Sequence, residues 1–82
     1  MLPEPILIER LEEAKRCARI LELDMSRRTV RAYLIACAID SDIHINNIGE
    51  ALNSAIANPG QLLLGAFEKT DLHQKTLLML DQ

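Results

Sequence analysis

The chain has almost no aromatic residues: Tyr33 and Phe67 are the full set, and tryptophan is absent. Stacking platforms for nucleobases and aromatic cages for cationic ligands both need several rings, so neither is expected. Valine occurs once, at position 30, while Leu, Ile and Ala supply 14, 9 and 9 residues. That bias favours helix over strand. Glycine and proline number three each, and no glycine-rich phosphate loop can be assembled from them. Long apolar runs are missing too. The longest, Ala32–Ile39, has eight residues, far short of the roughly 20 needed to span a bilayer. The first nine residues lack the basic start and apolar length of a secretory signal, so a cytoplasmic location is expected.

Cysteine is scarce as well. Cys17 and Cys37 both fall inside apolar helical patterns, without the cysteine density of a small secreted scaffold. If the first two helices fold back on each other near Asp24, Cys17 comes opposite the region of Tyr33. That offset is awkward for a disulfide, whose Cα atoms must approach within about 7 Å. Two reduced, buried thiols are expected.

What is present is an 82-residue, 9.2 kDa chain with 49% apolar residues. A chain of this size buries only about 60–65% of its unfolded surface, which leaves little room for an enclosed active site beside a core. One domain over residues 1–82 is expected, with 1–4 as an extended lead-in marked by Pro3 and Pro5. Leu7, Leu11, Ala14, Ala18 and Leu21 then follow at steps of 4, 3, 4 and 3, which lines one face of a helix over about 5–23. Glu12 and Arg16 on the opposite side make an i,i+4 pair. Ser26 suits an N-cap for a second helix over about 27–40, apolar nearly all round in its second half and therefore central. Asn47 with Glu50 resembles a capping box ahead of an amphipathic third helix reaching about 57. In 58–61, Asn58 can cap, Pro59 suits the first helical position and Gln61 completes the box, so a fourth helix is expected over 62–68. Thr70 can cap the last, which runs through Leu72, Leu77, Leu78 and Leu80. The reading is all-α: a single compact bundle of about five short-to-medium helices. It starts with an antiparallel helical hairpin whose seam is Leu11, Ala14, Ala18, Val30, Leu34 and Cys37.

The net charge is −3, which argues against non-specific nucleic-acid binding by the chain as a whole. Its distribution is uneven. Residues 15–31 hold Lys15, Arg16, Arg19, Arg27, Arg28 and Arg31 against Glu22 and Asp24, a local +4, and residues 32–82 carry −4. Arg27, Arg28 and Arg31 occupy the first turns of the second helix, where the macrodipole favours negative charge. They are the candidate anion- or partner-binding residues. From Ser26 onward the segment resembles the turn and recognition helix of helix-turn-helix DNA-binding regulators. A Ser cap is followed by basic residues, then by Thr29-Val30 and Tyr33 as anchors. The resemblance spans about 17–34 and is degenerate in its first half, where Arg19, Ile20 and Asp24 replace an apolar residue, a small residue and the usual Gly. It implies a DNA-binding regulator reading bases or phosphates through those arginines.

Asp40, Asp42, His44 and Asn46 alternate like metal ligands, but a calcium loop needs Gly where Ile45 stands and Glu where Ala51 stands. No metal and no cofactor are expected. Cys17, Cys37, Ser26, Ser41 and Ser54 have no neighbouring base in sequence, and no small-molecule substrate suggests itself, so a non-enzymatic role is expected. The remaining feature is excess apolar surface. Leu77, Leu78, Met79 and Leu80 cover about 300° of a helix, and a terminal helix on a small bundle cannot hide all four. They are the candidate interface residues. The leading functional expectation is a helical protein-interaction module: a small adaptor, regulator or chaperone-like assembly factor that self-associates. The DNA-binding regulator is the alternative.

Overall fold

The structure is a computed structural model that describes residues 2–60 and 64–81. Five helices, α1 Glu4–Ile20, α2 Arg28–Ile39, α3 Ile48–Ala57, α4 Leu64–Glu68 and α5 Asp71–Leu80, and a 3-10 turn at Ile45–Asn47 pack around one apolar core. No strand occurs among the described residues, and no helix among them is long and apolar enough to cross a membrane.

α1 forms because its apolar residues recur at helical spacing, and it buries Leu7, Leu11, Ala14, Cys17 and Ala18. It starts at Glu4, so the extended lead-in is shorter than the sequence suggests. Pro5 lies within the first turn, where its missing N–H costs nothing. It also ends early. Glu22 adopts φ 57°, Glu22 N–H donates to Arg19 O (3.0 Å) and Leu23 N–H to Ala18 O (2.9 Å). This is a Schellman cap, built here without glycine. It turns Leu21 out to solvent and lets Leu23 fold back onto the core. The expected pairing of Glu12 with Arg16 also shifts. Arg16 grips Glu13 with two 2.7 Å bonds, and Glu12 pairs with Lys15.

α2 is the central helix, with seven of its twelve residues buried, and it packs against α1, α3, α4 and α5. All six expected seam residues are buried. The hairpin is antiparallel, and one side chain proves it. Arg10, ten residues before the end of α1, reaches the carbonyls of Ala38, Cys37 and Asp40 at the far end of α2. Arg10 is buried, and its guanidinium caps the negative end of α2.

α3 lies across both, with Ile48 and Leu52 fully buried. Gly49 lets it come close: a Cβ there would lie 3.0 Å from Cys17 Sγ. Two expected caps are replaced. Asn47 precedes α3 but its side chain makes no cap bond; instead the His44 imidazole Nδ1 accepts from Asn46 N–H and caps the preceding 3-10 turn. Asn58 closes α3 rather than opening α4, since its backbone N–H donates to Ser54 O, and Pro59 and Gly60 form a turn. Gln61, Leu62 and the expected start of the fourth helix lie outside the described residues. The Tyr33 hydroxyl donates to Pro59 O (3.2 Å), tying that turn to α2. Thr70 caps α5 as expected, its hydroxyl accepting from His73 N–H.

Candidate functional site: a basic cleft and an apolar groove

Two surfaces stand out, one at each side of α5. The first is a cleft of about 340 Å³ where the start of α2 meets α4 and α5, lined by Ser26, Arg28, Arg31, Glu68, His73 and Gln74. The chain leaves the α2 N-terminus open here. Ser26 does not cap it, because its hydroxyl and N–H both go to Asp24 Oδ1 (2.6 and 3.0 Å). The N-cap residue is Arg27, without a side-chain cap bond, and no acidic residue occupies the first turn. Ser26 and Asp24 were equally suited to a local turn, and that turn wins. Asp24 is held below the usual carboxylate range chiefly by those two bonds.

Of the three candidate arginines, Arg28 and Arg31 line the cleft and Arg27 does not. Arg27 and Arg28 are exposed, whereas Arg31 is half-buried. Carboxylates from distant elements offset two of them: Arg28 Nε lies 3.3 Å from Glu68 Oε2, and Arg31 Nη2 lies 2.6 Å from Asp81 Oδ1. His73 forms part of the same cleft. It is only 3% exposed, its ring meets Phe67 edge-on at 4.9 Å, and neither ring nitrogen has a hydrogen-bond partner among the described residues. A buried imidazole without a partner is uncommon.

The second surface is a groove of about 420 Å³ between the start of α1 and the outer side of α5. Leu2, Leu7, Leu72, Leu78 and Met79 make its apolar wall, with Glu4 on one rim and Lys75 on the other. The four candidate interface residues separate here. Leu80 belongs to the core, Leu77 and Met79 are half-buried against it, and Leu78 is 72% exposed. The buried stripe of α5 is His73, Thr76 and Leu80, because Thr76 satisfies its hydroxyl on Leu72 O and can enter the core at little cost. That phase leaves Leu78 alone in water. Ile6 and Ile8, on the first turns of α1, are also exposed.

No protein-family model matches the chain, nor does any curated protein or solved structure match it significantly.

The helix-turn-helix resemblance does not extend to three dimensions. Its two helices cross at roughly 90–120°. Arms of ten residues are about 15 Å long, so such a crossing would part Arg10 from Ala38 by about 20 Å or more, beyond any side chain. Here the two residues are hydrogen-bonded. The alternating residues at 40–46 serve turns: Asp40 Oδ1 accepts from Asp42 N–H and His44 caps as described. Both cysteines are free and buried. Burial and the Asp40 charge push the Cys37 thiol up to about 11.

Sequence reasoning missed Arg10 and His73. Arg10 sits three residues after Leu7 and four before Ala14, on the core stripe itself, which was the available signal. His73 had only its spacing from Thr76 and Leu80.

Proposed function

We propose that the chain is a non-enzymatic helical interaction module, an adaptor, regulator or assembly factor, that self-associates through the groove between α1 and α5. The observation that carries this reading is Leu78, the most exposed large apolar side chain among the described residues, standing at the lip of that groove. Leaving it in water forfeits about 1.5–3 kcal/mol relative to burial. The rims favour a second copy as the occupant. Glu4 and Lys75 lie on the same patch, and neither forms an ion pair with another described residue. A two-fold axis through the groove brings Glu4 of each copy to Lys75 of the other, as an isologous interface requires.

Sedimentation velocity over a concentration series tests the reading. Full-length protein should populate a dimer, Leu78→Glu should sediment as a monomer, and Glu4→Lys should weaken the dimer. Combining Glu4→Lys with Lys75→Glu should restore it. A wild-type protein that stays monomeric throughout the series refutes the proposal.

A further inference from the structure

We propose that the cleft between the start of α2, α4 and α5 binds a small phosphorylated ligand, with its oxyanion held by Arg28, Arg31 and His73. Three independent features converge there. The α2 N-terminus lacks a side-chain cap and an acidic first turn, so the positive end of a twelve-residue helix meets two guanidiniums whose only counter-charges among the described residues, Glu68 and Asp81, come from far along the chain. His73 is buried, and neither ring nitrogen has a partner among the described residues. A neutral imidazole always carries one N–H donor, so a donor is left without an acceptor. The imidazole N–H and the open N–H groups at the start of α2 are donors that an oxyanion satisfies.

The charge selects the ligand. Once Asp81 leaves Arg31, Arg28 and Arg31 against Glu68 leave the lining one unit positive, which disfavours a cation. Guanidinium forks suit phosphate oxygens, which offer several acceptor sites at once. The size selects further: about 340 Å³ exceeds a bare phosphate and lies near the lower end of small-molecule sites, so a monoester with a small organic group fits. Leu77 supplies the apolar contact for that group.

The resident carboxylates differ in how firmly they are held. Glu68 is mostly buried, which fixes its carboxylate 3.3 Å from Arg28 Nε. Asp81 is largely exposed, and such a pair exchanges readily. Asp81 is therefore the internal stand-in that an incoming oxyanion displaces from Arg31.

The test is NMR on the full chain, following the His73 ring and the Arg28 and Arg31 side-chain signals as inorganic phosphate replaces chloride at constant ionic strength. All three should shift together and saturate. Arg28→Gln with Arg31→Gln, the first exposed and the second half-buried, checked for native helical circular dichroism, should weaken binding by at least about tenfold. Asp81→Asn should strengthen it several-fold. The proposal is overturned if the His73 signals do not move, if only the arginine signals move without saturation, or if the double variant titrates like the wild type.

Discussion

Arg10 donates from Nη2 to the backbone carbonyl of Asp40 at 2.7 Å, across thirty positions of sequence. The same guanidinium holds the carbonyls of Ala38 and Cys37, so one buried cation closes the C-terminal end of α2, where no basic residue stands in the helix's own last turn. Arg10→Met keeps the stem but takes the side-chain donor from the Ala38 and Cys37 carbonyls, while Asp40 O retains Ile43 N–H. It should cost about 2–4 kcal/mol in a urea titration. Arg10→Lys, which lacks the fork, should recover only part of that. A loss within experimental scatter for both variants would show that water replaces the contact.

The Gly49–Cys17 approach predicts a non-additive pair. Gly→Ala inside a helix ordinarily gains about 1 kcal/mol. Here the new Cβ meets Cys17 Sγ at 3.0 Å, so Gly49→Ala should gain nothing or destabilise. In a Cys17→Ala background the full gain should return, giving a coupling of about 1 kcal/mol or more in the double-mutant cycle. Simple additivity would mean the thiol rotates away freely.

Glu22 sits in the left-handed region at φ 57°, a conformation that suits glycine at this place in a helix cap. Glu22→Gly should stabilise the fold by about 0.5–1 kcal/mol, the relief of strain exceeding the added freedom of the unfolded chain. Thermal melts of the two proteins decide the sign, and a lower melting temperature for the glycine variant contradicts the strain argument.

Cys37 predicts an alkaline limb of stability. Its thiol is raised from 9.0 to about 11, first by burial and then by the Asp40 charge. The folded state therefore holds the proton more tightly than the unfolded state. Stability from this source is complete below about pH 9 and is lost as pH rises through about 11. Urea titrations across that window should show the difference between wild type and Cys37→Ser changing with pH. A constant difference would mean that the thiol titrates normally.

The hairpin was legible because Leu7, Leu11, Ala14 and Ala18 repeat at helical steps and nothing competes with that pattern. Helix ends were less so, because several partners of similar merit stand side by side. Ser26 can cap α2 or bond Asp24, and three-dimensional context chose Asp24. Asn58 can open one helix or close another, and it closes α3. The phase of α5 was misjudged for a different reason. Counting apolar residues points to Leu77 and Leu78, yet Thr76 with an internally bonded hydroxyl behaves as a small core residue. Within the basic edge, the sequence singled out the arginines. It could not show that Glu68 and Asp81 return to them, since those carboxylates lie 40 and 50 positions further along.

The scarcity of rings has an optical consequence. With no tryptophan, Tyr33 dominates the chain's near-ultraviolet absorption and its intrinsic fluorescence. Its phenol is buried and anchored to Pro59 O, so that emission reports on one joint, where α2 meets the turn after α3. A ligand or partner that loosens this joint will change the colourless protein's only bright signal, while events at α1 or at Leu78 will pass optically unseen.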